Sequence, residues 1–115
     1  MEAEFIRWLR LRIKPHPQVA LGIGSDAAVL RWPGAQAVVT TDALMDGVDF
    51  VLAEVDPERV GRKSLAVNLS DLAAMGARPV AVFISLVLPR SNALALAQRL
   101  YEGMFPLAES LGVAI

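Results

Sequence analysis

The sequence contains no cysteine, which excludes disulfides, thiolate metal sites and cysteine nucleophiles and leaves the redox compartment open. Its single histidine, His16, stands between Pro15 and Pro17 in an expected loop, so neither a Ser/His/Asp nor a Cys/His catalytic arrangement can be assembled. Long hydrophobic runs are missing too. The longest, Val80 to Leu88, is bounded by Pro79 and Pro89, includes Ser85, and falls well short of the roughly 20 residues a membrane-spanning helix requires. The first 14 residues interleave Glu2 and Glu4 with Arg7, Arg10, Arg12 and Lys14, leaving no uninterrupted apolar core for a secretory signal. The expectation is a cytoplasmic protein with no membrane partner. Aromatic residues are 6% of the chain and the basic residues form no cluster interleaved with them, so no nucleic acid is expected as a partner. Positive charge is absent altogether between Arg31 and Arg59, an interval that holds Asp42, Asp46, Asp49, Glu54, Asp56 and Glu58. A net charge of −1 thus conceals a segment suited to a cation.

What is present is one domain's worth of chain, 115 residues, with 55% hydrophobic side chains. That apolar share exceeds an average soluble domain's, and the surplus suits a face against another chain. Residues 2 to 13 are expected to form an amphipathic helix, with Phe5, Ile6, Leu9 and Ile13 on one side, ended by Pro15 and Pro17. Ala27 to Trp32 and Ala37 to Thr41, joined by Pro33-Gly34, suggest a hairpin, with a further short strand over Val48 to Leu52. Asp56-Pro57-Glu58 is a helix start and Gly76 followed by Pro79 a stop. The helix between them is nearly all apolar after two turns and is expected to be buried on most sides. Val80 to Leu88 suggests a covered central strand, apolar without alternation. A last helix, capped by Ser91 or Asn92, bent at Pro106 and closed by Gly112, leads to a strand beginning at Val113.

Two familiar phosphate motifs are excluded. Gly22-Ile23-Gly24-Ser25-Asp26-Ala27 is followed by a strand rather than a helix, against a dinucleotide-binding loop, and no Gly-Lys-Ser/Thr loop occurs. What remains are hard oxygen ligands beside small or hydroxylated neighbours: Gly24-Ser25-Asp26, Thr40-Thr41-Asp42, and Asn68 to Asp71. Taken singly, Asp26 and Asp42 suit a turn cap and a strand end. Ser64, Asn68 and Asp71, however, fall on one face of an otherwise apolar helix, where a buried Asp71 would need a cation or a hydrogen-bond network. Three aspartates from three elements meeting at one point would suit magnesium and a nucleotide. Asp46, Asp49, Asp56, Arg59 and Arg62 default to solvated or capping roles.

The stretches Leu21 to Leu30, Thr40-Thr41-Asp42 and Ala66 to Ala77 resemble, in motif, order and spacing, the thiamine-monophosphate kinases of the aminoimidazole-ribonucleotide-synthetase-like superfamily. The last is the most specific. The resemblance implies an α/β (α+β) two-layer fold, a mixed four-stranded sheet with helices on one face, and a homodimer in which the sheets of two subunits pack into a barrel. It also implies ATP-dependent phosphorylation of thiamine monophosphate to thiamine diphosphate, with Mg2+ held by Asp26, Thr40, Thr41, Asp42 and Asp71. Gly24, Ser25 and Asn68 would lie on the nucleotide side. On this resemblance residues 1–115 are a single N-terminal ATP- and magnesium-binding domain of a larger two-domain enzyme, inactive without the rest. Two departures stand out. Ser25-Asp26 replaces a usual pair of aspartates, and Asp49, before Phe50, occupies the position of a histidine that contacts the thiamine substrate. The alternatives are a member of the same superfamily with another acceptor, and a non-catalytic dimerisation or nucleotide-binding module.

Overall fold

The computed structural model describes residues 1–23, 29–31, 34 and 38–115. Three helices dominate it: α1 (Glu2–Arg12), α2 (Pro57–Ala74) and α3 (Ala93–Leu111). α2 begins where its local chemistry dictates. Asp56 is the N-cap, its carboxylate accepting the Glu58 amide at 2.9 Å, with proline in the first turn and Glu58 at the positive end of the dipole. Arg99 of α3 donates to the same Asp56 oxygen at 2.7 Å, tying the cap to the neighbouring helix. At the far end α2 stops at Ala74, with Gly76 in the left-handed region just beyond. α3 closes on Gly112, which is left-handed at φ 66°. Its N-cap is Asn92, itself left-handed at φ 56° and without a side-chain cap, a difference from the capping expected there.

α2 and α3 pack through two glycines. A Cβ on Gly61 would overlap the Leu100 carbonyl oxygen and stand 2.7 Å from its carbon, and one on Gly103 would do the same to Glu58, at 2.6 Å. The backbones therefore touch at the crossing, and Leu65, Met104, Ala108 and Val113 fill the core beside it. α1 adds a second cluster of Leu9, Tyr101 and Phe105, flanked by Phe5 and Trp8. Phe5 meets Tyr101 edge-on at 5.5 Å and Trp8 lies 6.3 Å from Phe105, contacts worth about 0.5–1.5 kcal/mol each beyond their buried area. Arg12 fastens the end of α1 to α3. Its guanidinium sits 4.6 Å from the Phe105 ring centre and donates to both Glu102 oxygens, at 3.2 and 2.9 Å.

Three expectations change, and one strand has a partner the sequence pattern did not reveal. Val29–Leu30 (β2) pairs antiparallel with Val19–Leu21 (β1); the remainder of the expected hairpin lies partly outside the described residues. Val48 to Leu52 is a turn: Asp49 accepts the Met45 amide and Asp46 the Leu52 amide, each at 2.8 Å, so side chains take the place of a partner strand. Residues 80–88 are extended but covered on one side only. Val82, Ile84 and Leu86 pack inward while Phe83 and Val87 are 70% and 98% exposed. Lastly, α2 is buried only along Val60, Gly61 and Leu65, because α3 covers a single face; Asp71, Ala73, Ala74 and Met75 are exposed.

The expected strand at Val113 has its partner. Ala81 bridges Ala114 in parallel, with Val82 N donating to Ala114 O at 2.8 Å and Ala114 N to Val80 O at 3.0 Å, so α3 is the crossover of a β-α-β unit. Among the described residues strand pairing is limited to β1–β2, this bridge and a second isolated bridge between Asp46 and Phe50. His16 is structural: its Nε2 lies 2.9 Å from the Gly112 carbonyl and its Nδ1 accepts the Gln18 amide, which joins the loop after α1 to the end of α3. No helix among the described residues is long and apolar enough to cross a membrane.

Candidate functional site

The acidic segment after residue 38 passes alongside α2. Thr40 Oγ1 lies 3.5 Å from Asp71 Oδ2, at the outer limit of a hydrogen bond, and so brings together two motifs 31 residues apart. Thr41 and Asp42 follow and line an open groove of about 910 Å³. α2 lines it through Val60, Ser64 and Asn68, and all of residues 82–88, Phe83 and Val87 included, line it as well. On α2 the polar stripe forms as the spacing requires: Ser64 donates to Val60 O and Asn68 to Ser64 O, both at 2.9 Å. These are backbone contacts within the helix, and they leave the Asn68 side-chain oxygen available to the groove.

Asp71 is exposed, which corrects the expectation of a buried carboxylate in search of a partner. The reason is the single-sided cover of α2 by α3. Asp42 is exposed too, and Thr40 is half-buried. Among the described residues no Lys or Arg pairs with Asp42 or Asp71, and no three His, Cys, Asp or Glu side chains gather to hold a metal. Gly24, Ser25 and Asp26, the third motif, lie outside the described residues. By donor type the set suits magnesium, since a hydroxyl and two carboxylates are hard oxygen ligands open to water.

Asp49 does not line the groove; its carboxylate accepts the Met45 amide within the turn it belongs to. Met45, Asp46, Phe50 and Leu52 of that turn do line the groove, alongside α2. Lys63, which no sequence pattern singled out, donates to the Asp49 carbonyl at 2.6 Å. A backbone acceptor leaves no trace in the sequence, so only the coordinates reveal the contact. Groups of the α1–α3 contact have shifted pKa values. Hydrogen bonding from Arg12 holds Glu102 below its ordinary range, and burial pushes the Tyr101 hydroxyl up.

With this geometry in place, residues 24–115 match the family described as AIR synthase related protein, N-terminal domain. The chain belongs to this family. The chain is 45% identical over 123 residues to the thiamine-monophosphate kinase of Rhodopirellula baltica, covering 100% of this chain and 39% of that protein. Against the thiamine-monophosphate kinase of Bacillus subtilis the figures are 38% over 109 residues, 94% and 34%. Among solved structures, the thiamine-monophosphate kinase of Stenotrophomonas maltophilia K279a has the same fold, with a TM-score of 0.76 at 42% identity over 96% of this chain and 34% of that one. The chain thus spans between about a third and two fifths of the length of these relatives.

Proposed function

We propose that this AIR-synthase-related domain is the nucleotide- and magnesium-binding part of a thiamine-monophosphate kinase. The observation that carries the reading is the approach of Thr40 to Asp71, which joins the Thr40-Thr41-Asp42 segment to the helix bearing Asn68 along one groove. Asp26, Thr40, Thr41, Asp42 and Asp71 would hold magnesium, with Gly24, Ser25 and Asn68 on the nucleotide side and Asp49 at the acceptor end. Bound there, magnesium would neutralise charge on the phosphates of ATP. The residues' task is alignment: the phosphate of thiamine monophosphate attacks the terminal phosphorus of ATP, the bond to the ADP oxygen breaks, and no covalent enzyme intermediate forms. A groove lined by Thr41, Asp42, Asp46, Ser64 and Asn68, with no histidine or cysteine among its described lining residues, suits that division of labour.

The fold completes the proposal. In this reading residues 1–115 are the N-terminal domain of a larger cytoplasmic enzyme, inactive alone, whose mixed four-stranded sheet carries helices on one face. The exposed Phe83 and Val87, on the side of residues 80–88 that no helix covers, support a homodimer in which two such faces form a barrel. One observation favours a second reading, a superfamily member with a different acceptor. Asp49 stands where a substrate-contacting histidine is expected, and its carboxylate is engaged within its own turn. Steady-state assay of the full-length protein with ATP and thiamine monophosphate decides between them. ADP and thiamine diphosphate formed in equal amounts support the kinase; no ADP above background removes it.

A further inference from the structure

Resting on the kinase reading, we propose that Lys63 is a positioning residue that sets the acceptor wall of the groove. The turn from Met45 to Leu52 is shaped from within. Asp49 accepts the Met45 amide, Asp46 accepts the Leu52 amide, and Gly47 N donates to Phe50 O at 2.7 Å. None of these bonds fixes how far the turn stands from α2. The bond from Lys63 Nζ to the Asp49 carbonyl does, because it is the side-chain hydrogen bond that joins the turn to that helix among the described residues. Lys63 is itself exposed and lies outside the groove lining, so it acts through the turn.

One consequence bears on the substrate. Met45, Phe50 and Leu52 give this wall an apolar surface suited to the aromatic rings of the acceptor, and its distance from Ser64 and Asn68 sets the width available to them.

The test uses the full-length protein carrying Lys63→Met or Lys63→Arg. With Lys63→Met the KM for thiamine monophosphate is expected to rise about tenfold or more, with the KM for ATP and kcat near wild type, and Lys63→Arg should restore most of the loss because its guanidinium still donates to the carbonyl. Hydrogen exchange should quicken at the amides of Gly47, Val48, Asp49 and Leu52 in Lys63→Met. An unchanged KM for thiamine monophosphate, an equal rise in the KM for ATP, or unchanged exchange in the turn overturns the proposal. If the wild-type enzyme makes no ADP from ATP when thiamine monophosphate is supplied, the kinase reading fails separately, and the exchange measurement still decides whether Lys63 holds the turn.

Discussion

Replacing Gly61 by alanine tests the helix crossing on which the whole site rests. In an isolated helix the change would help, by about 1 kcal/mol, because glycine is the poorer helix former. In this protein the added methyl would overlap the Leu100 carbonyl oxygen and stand 2.7 Å from its carbon, and both atoms are backbone that no side-chain rotation can move aside. α2 and α3 must then separate by about 1 Å, which opens gaps around Leu65, Met104 and Ala108 and forfeits their dispersion contacts. Overpacking of this kind costs about 3 kcal/mol at the rigid end of its range, so the net loss should be about 2 kcal/mol, or a fall in melting temperature of about 8 °C in a domain of this size. Gly103→Ala, which meets Glu58 across the same crossing, should cost about as much. The double variant should lose less than the sum of the two, since helices already parted by one methyl accommodate the second. Thermal and urea denaturation of the four proteins measures all of this. A Gly61→Ala protein as stable as wild type, or fully additive losses, would refute the close approach.

Other outcomes follow from the same contacts. Burial raises the Tyr101 pKa above its ordinary 10.0, so the unfolded chain ionises first and the stability present below pH 10 should decline as pH rises through the folded value; Tyr101→Phe should flatten that decline in alkaline denaturation scans. Glu102 has the opposite sign. Its pKa is lowered from 4.5 by the Arg12 hydrogen bond, so its contribution is present above that value and is lost as pH falls through the folded one, an acid dependence that Glu102→Gln should remove. For the proposed metal site, Asp42→Asn or Asp71→Asn in the full-length protein should weaken magnesium-dependent nucleotide binding at least tenfold, about 1.4 kcal/mol, in a calorimetric titration. Unchanged affinity in both variants would count against the assignment.

The parts of the fold legible in the sequence are those with local causes. Asp56 and Pro57 start α2 because a carboxylate two residues from an amide caps it without help from the rest of the chain. Gly112 ends α3 because left-handed backbone is strained for other residues, and α1 follows from its apolar spacing. Of the proposed site, the sequence singled out Thr40, Thr41, Asp42, Asn68 and Asp71 as oxygen-bearing residues in an unusual order, and the structure sets Thr40 against Asp71. The side covered in residues 80–88 was not legible, since a segment apolar at nearly every position has no readable period. Nor was the exposure of Asp71, which depends on where α3 lies rather than on anything in α2.

Sequence by itself determined which segments are helical and where they stop, because caps, turns and spacing act over a few residues. Tertiary structure decided the rest: that β2 pairs back with β1, that Gly61 and Gly103 are a crossing and not two weak points in helices, and that Lys63 reaches the Asp49 carbonyl. Each is an encounter between segments far apart in the chain or through backbone atoms common to every residue. Such encounters are chosen by the global packing of apolar faces, whose outcome no local pattern encodes.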